Sequence, residues 1–212
     1  DIVGLGLKTF HLVKRRDEFR ERVCDLLATV GLPADYIHHY PHEFSGGQRQ
    51  RLSIARGLAV GPELLICDEP VSALDVSVQA QVINLLRSLK AQFNLAMLFI
   101  SHDLAVVRHI SDRIIVMYRG KAVESATAKS LFEETAHPYT KALISAIPEA
   151  RPESRKLRIV LEGDVGTGVG PVKGCCFSDR CYMVQDLCRR EAPLGRQLVA
   201  GHVSWCHFAE MV

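Results

Sequence analysis

Apolar positions along the chain keep two different periods. In residues 17–30, Phe19, Val23, Leu26, Leu27 and Val30 recur every three or four positions, which predicts a helix with one buried stripe, stopped by Gly31. A second helix is predicted from about Gly46, carrying Leu52, Ala55, Leu58 and Ala59 inward, and a third over residues 76–90 with Val78, Val82, Leu85, Leu86 and Leu89. Two runs break this period: "LLICDEP" (64–70) and "LAMLFI" (95–100) are short and almost unbroken in their apolar stretch. Such runs suit strands of a parallel sheet buried on both faces. Farther on, "RIIVMYRGKAVES" (113–125) predicts an antiparallel pair turning at "YRGK".

Helix, strand, helix, strand is α/β architecture, in which ligands gather at the carboxyl ends of the strands. Asp68, Glu69 and His102 fall at those ends. Two adjacent buried acids are costly as pure structure, because charges without partners resist burial. An Asp-Glu pair at a strand end suits phosphoryl transfer to water: the first carboxylate holds Mg²⁺ and the second polarises the attacking water. His102 is placed to sense a terminal phosphate, although an isolated histidine is more commonly a packing residue.

"EFSGGQRQR" (43–51) puts a serine and two glycines directly before a helix. A helix start leaves N–H groups unpaired and favours negative charge, so Ser45 as cap with Gly46 and Gly47 behind it forms a phosphate seat or an ordinary cap. "HPYT" (137–140) reads as a helix entry with Pro138 in the first turn, in preference to a ligand site.

Composition narrows the class. Of 212 residues, 48% are hydrophobic and 24% charged, as in an ordinary soluble domain. The net charge of +2 gives no reason to expect a polyanionic partner, and the mixed cluster "VKRRDEFRER" reads as a solvated helix face. No apolar run approaches the roughly 20 residues that cross a bilayer, and "DIVGLGLKTF" has no leader-peptide pattern. Any membrane connection is therefore expected to go through a partner. Seven cysteines without a secreted framework fit a reducing compartment, and Cys24 and Cys67 fit core positions. Residues 151–174, with five glycines and two prolines, read as a linker. Beyond it Cys175, Cys181, Cys188 and Cys206 are separated by five, six and seventeen residues, with no C-x-x-C of a zinc ribbon.

Taken in order, "FSGGQ" (44–48), "LLICDE" (64–69), "SALD" (72–75) and "ISHD" (100–103) resemble the signature, Walker B, D-loop and switch-histidine motifs of ABC transporter ATP-binding subunits. "CDEPVSALDVSVQAQVINLL" (67–86), "HPYTKALISAIPEA" (137–150) and the cysteine-rich ending are similar to the dipeptide/oligopeptide/nickel importers of that family. The resemblance implies an α/β fold: the rear part of a P-loop ABC core, with a partial parallel sheet and a helical signature subdomain, in residues 1–125. Residues 126–212 would be the small C-terminal extension.

By the same resemblance Glu69 and His102 are catalytic. Ser45, Gly46, Gly47, Gln48, Asp68 and Asp75 contact ATP and Mg²⁺, the signature meeting the γ-phosphate of an ATP held by the opposite subunit. Partners would be a second ABC ATPase subunit, two transmembrane permease subunits and, indirectly, an extracytoplasmic substrate-binding protein. No nucleic acid is expected, since the importer-like tail argues against a nucleic-acid-associated ABC ATPase. The location would be peripheral, at the cytoplasmic face of the inner membrane.

Some members of the resembling group hold a [4Fe–4S] cluster on such cysteines; Cys176 departs from the proline usual there, and zinc or free thiols remain alternatives. A P-loop, G-x-x-x-x-G-K-[ST], does not occur in these 212 residues, and "GLGLKT" (4–9) lacks its pattern. Two accounts follow: a portion of an importer ATPase beginning after the Q-loop, or a non-catalytic chain that donates its signature face to an intact partner.

Overall fold

The computed structural model describes residues 2–148, 158–162 and 173–212, so most of the expected 151–174 linker lies outside the described residues. The chain divides into two compact units, Asp1–His102 and Asp103–Val212.

In the first unit, α1 (Leu5–Thr9) precedes α2 (Arg16–Thr29). The latter buries Val23, Leu26 and Leu27, and the chain leaves through Val30 and Gly31, whose φ of 71° is the left-handed stop the sequence predicts. After two 3₁₀ turns, Ala34–His38 and Pro41–Glu43, α3 (Gly46–Leu58) buries Ile54, Ala55 and Leu58. Strand β1 (Leu64–Asp68) leads to α4 (Val76–Phe93), which buries Val82, Leu86 and Leu89, and then to β2 (Ala96–Ile100). Arg51 of α3 joins the three long helices. Its guanidinium donates to the Val30 carbonyl at 2.9 Å and to Oε1 of Gln81 in α4 at 3.3 Å.

Strands β1 and β2 pair in parallel, Leu64 opposite Ala96 and Asp68 opposite Ile100. Burial on both faces, expected from the unbroken apolar runs, is not what this two-stranded sheet shows. Side chains alternate along a strand. Leu65, Cys67, Met97 and Phe99 take the more covered face, while Leu64, Ile66, Leu98 and Ile100 keep 52%, 60%, 50% and 45% of their surface exposed on the other. An apolar run reports what a strand is suited to bury; the neighbouring elements decide whether it is covered.

The second unit opens with α5 (Leu104–Ile110), capped by Asp103, whose carboxylate accepts from the N–H groups of Ala105 and Val106. Strands β3 (Arg113–Tyr118) and β4 (Lys121–Thr127) form the predicted hairpin, with Arg119 and Gly120 both at positive φ (49° and 74°). Two such residues are what a tight turn between right-twisted strands requires. Helices α6 (Ala128–Glu133) and α7 (Pro138–Ser145) follow. His137 caps α7 through Nδ1 with Pro138 at the first position, as the sequence predicts. The chain then gives α8 (Asp186–Arg190), β5 (Arg196–Val199) and β6 (His202–Ser204), and the sheet order is β3-β4-β6-β5.

One polar knot sits in this unit's core. Nε2 of His202 lies 2.8 Å from Oε1 of Glu124, both side chains essentially without solvent contact. The same carboxylate oxygen accepts the Ala136 N–H at 2.7 Å, and Ser130 Oγ lies 3.1 Å from His202 Nδ1. Elsewhere in this unit, Phe177 packs edge-on against Tyr118, with ring centres 5.2 Å apart. No helix among the described residues is long and apolar enough to cross a membrane.

Candidate functional site

The carboxyl ends of β1 and β2 build the first part of the site. Glu69 follows the last residue of β1, and its N–H extends the ladder by donating to the Ile100 carbonyl at 3.0 Å. Its backbone is then turned to φ 43°, a left-handed conformation costly for a side chain with a Cβ. Ser72 Oγ donates to the Glu69 carbonyl at 3.1 Å and helps hold this turn. The result places Glu69 Oε1 3.1 Å from Nδ1 of His102, which follows β2 by two residues. This contact, helped by Ser72, holds the Glu69 carboxyl below its usual range, so the group is a carboxylate at neutral pH. Both side chains stay open to solvent, and Asp68, paired with Ile100, is exposed beside them. An exposed carboxylate at a strand end is a fitting Mg²⁺ anchor, since that ion keeps several waters and takes one or two carboxylates.

The second part is the start of α3. Ser45 Oγ accepts the Gln48 N–H at 3.3 Å while Gln48 Oε1 accepts the Ser45 N–H at 2.9 Å, a reciprocal capping box. The N–H groups of Gly46 and Gly47 belong to the first turn, where no intrahelical acceptor exists. Because Ser45 Oγ serves as acceptor toward Gln48, its own hydrogen is free to donate. The face is therefore a set of donors at the positive end of a helix dipole, suited to an anion.

The structure separates the roles of the predicted residues here. Gln48 is bonded at both ends of its amide: Oε1 accepts the Ser45 N–H in the cap, and Nε2 donates one of its two hydrogens to Tyr36 Oη at 3.3 Å. Asp75 caps α4: its Oδ1 accepts from Ser77 Oγ at 2.7 Å and from the Val78 N–H at 3.0 Å, which keeps its carboxyl ionised to lower pH than usual. The two glycines also divide. A Cβ on Gly46 would lie at ordinary contact, 3.4 Å from Leu74 Cδ2, whereas one on Gly47 would fall 2.5 Å from Val78 Cγ1. Gly47 thus owes its lack of a side chain to α4 packing across it. Gly47→Ala is expected to destabilise the first unit by about 1–3 kcal/mol through overpacking. Gly46→Ala should stay within roughly 1 kcal/mol of the parent, near the cost of changing a single exposed backbone position. Urea unfolding of the two variants checks this, and equal midpoints would contradict the packing role.

The cysteines form a third group, in the other unit. Cys175, Cys181, Cys188 and Cys206 line one cavity of about 10 Å³, at the threshold for a single water, with His137, Phe177 and Met183. The Cys175 N–H donates to the Cys188 carbonyl at 2.7 Å. Cys175 shares a side-chain hydrogen bond with Cys176; this bond and burial push Cys175 up to about 12, while the same bond brings Cys176 down to about 7. Burial pushes Cys181 up to about 11. Four thiols are the right donor chemistry for an iron–sulfur cluster. Among the described residues no three His, Cys, Asp or Glu side chains are grouped to hold a single metal ion, so the placement lends the cluster no support. Cys67 is buried in the first unit's core, as expected.

Sequence reasoning missed Tyr36 and Arg51. Both act through side-chain hydrogen bonds to residues 12 or more positions away, which no local pattern announces.

Known proteins supply the comparison. Residues 6–72 match the family model described as ABC transporter, and residues 123–188 that of the oligopeptide/dipeptide transporter C-terminal region. The oligopeptide transport ATP-binding protein AppF of Bacillus subtilis is 51% identical over 192 residues, 90% of this chain and 58% of the relative. The oligopeptide transport ATP-binding protein OppF of Escherichia coli is 48% identical over 92% of this chain and 59% of its own length. The dipeptide transport ATP-binding protein DppF of Haemophilus influenzae is 48% identical over 89% and 58%, respectively. The chain thus spans about three fifths of the length of the curated relatives it matches. With strand-end carboxylates, a capped signature helix and both family models in sequence order, the chain belongs to the ABC transporter family of ATP-binding proteins, in its oligopeptide/dipeptide group.

Proposed function

We propose that this chain serves as an ATP-binding subunit that energises peptide import, its signature face closing over ATP held by a second subunit. The observation that carries this is the Glu69–His102 contact of 3.1 Å at the ends of two parallel strands, with Asp68 adjacent. Glu69, ionised and turned outward, accepts a proton from the attacking water. His102 holds that carboxylate in place and offers its remaining ring nitrogen toward the terminal phosphate. Asp68 would hold Mg²⁺ through water, and the ion supplies charge neutralisation on the phosphates. Ser45 and the N–H groups of Gly46 and Gly47 donate to the partner-held γ-phosphate.

This function brings with it a second ATP-binding subunit, two permease subunits, a substrate-binding protein beyond them and a peripheral position at the cytoplasmic face of the inner membrane. Cys175, Cys181, Cys188 and Cys206 take no step in it. A second function, an interaction chain that only donates its signature face, is supported by one feature: the capping box and the Tyr36 contact complete that face within residues 36–48.

Gly46→Asp tests the seat. A Cβ at this position meets only ordinary contact, and an acid in the first helical turn suits the dipole, so the fold should keep its thermal midpoint. The same acid would face the phosphate. Association of the chain with an intact oligopeptide-importer ATP-binding subunit, followed by light scattering, should depend on Mg-ATP and disappear in the variant. Association that ignores ATP, or survives Gly46→Asp, would count against the proposal.

A further inference from the structure

We infer that Tyr36 is a positioning residue for the signature serine, acting through the Gln48 amide. In its ATP-dependent arm this rests on the function proposed above; its geometry stands on its own.

Gln48 sits in the first turn of α3 with its side chain bonded at both ends. The Ser45 N–H needs an oxygen, and Gln48 Oε1 supplies it at 2.9 Å. That choice turns Nε2 the other way, where Tyr36 Oη accepts it at 3.3 Å in a partly buried setting. The tyrosine comes from the 3₁₀ turn Ala34–His38, and its ring is fixed edge-on against Phe44 with centres 5.2 Å apart. Phe44 is itself buried, and His39 packs against both rings, its centre 5.0 Å from that of Tyr36 and 5.9 Å from that of Phe44. A rigid hydroxyl thus anchors one end of the amide, and the amide anchors Ser45.

The consequence reaches the phosphate seat. With Gln48 locked, Ser45 keeps its extended backbone and its Oγ stays the acceptor of the Gln48 N–H at 3.3 Å, leaving the hydroxyl hydrogen for an anion. Without Tyr36 Oη, Nε2 loses its protein partner and the amide rotates toward water. Ser45 then samples hydroxyl orientations that no longer donate outward. Tyr36 never touches the phosphate; it narrows what Ser45 can do.

Tyr36→Phe removes the oxygen and keeps the ring contacts, so the fold is retained. In the full 212-residue chain, the Gln48 side-chain amide resonances should move and their hydrogen exchange should quicken about three- to tenfold, in line with the loss of one hydrogen bond. Mg-ATP-dependent association with an intact ATP-binding subunit should weaken by about the same factor, with an unchanged thermal midpoint. The Gln48→Ala background should abolish the effect of Tyr36→Phe, because both substitutions break one chain of contacts. Gln48 amide exchange unaltered in Tyr36→Phe overturns the inference, as does an association constant equal to that of the parent. If the parent itself fails to associate with ATP, the function proposed above falls, and amide exchange alone decides the role of Tyr36.

Discussion

Replacing Glu69 by glutamine in the assembled transporter is expected to lower ATP turnover by about 10²–10⁴-fold, the usual worth of a positioned general base. Glutamine keeps the shape and a hydrogen-bonding oxygen for His102, and loses the basicity. ATP affinity should remain, because nothing in the seat formed by Ser45, Gly46 and Gly47 is altered. The kinetic signature is therefore a fall in kcat with KM for ATP little changed. His102→Ala should also cripple turnover, since the carboxylate loses its 3.1 Å partner at the strand end. The two losses should not add, because in the proposed function both residues act on one water and one phosphate. Steady-state phosphate release measures Glu69→Gln, His102→Ala and the double variant. Near-parental rates in Glu69→Gln would leave the chain as a donor of its signature face only.

The second large effect concerns stability. His202→Ala is expected to cost the second unit about 3–5 kcal/mol, the range for removing one member of a buried charged or polar pair. Glu124 is fully buried, and its Oε1 would keep only the Ala136 N–H. Ser130 would lose its contact with the imidazole at the same time. Domains of this size have about 5–15 kcal/mol in total, so the loss is a large fraction of it. Glu124→Gln, which keeps the volume and one acceptor, should cost less. The single tryptophan makes the measurement direct: the Trp205 N–H donates to the Val123 carbonyl at 2.9 Å, so its fluorescence reports on this part of the sheet. A midpoint in urea within about 1 kcal/mol of the parent would show that the pair is dispensable.

Local physics made much of this molecule legible beforehand. Three helical stripes, two parallel strands and a hairpin at Arg119-Gly120 follow from periodicity and turn chemistry, which involve only near neighbours. The serine cap at residue 45 was legible for the same reason, because cap and partner are three residues apart. The α/β class followed from the order of those elements.

Other features needed the tertiary structure. The glycines at 46 and 47 look alike in sequence, yet only Gly47 lies under Val78, a contact made when α4 packs on α3. The apolar runs of β1 and β2 announce a sheet but not that one of its faces is open. Nothing in "VES" or "GHVS" announces that Glu124 and His202, 78 residues apart, meet in the core. The family resemblance implied a shared neighbourhood for the four cysteines, whereas whether the thiols stand close enough for a metal is a matter of placement. By itself the sequence determined the elements, their caps and the order of the strand-end carboxylates. Tertiary structure alone decided which side chains meet across long separations, because those contacts depend on how elements pack and on no local propensity.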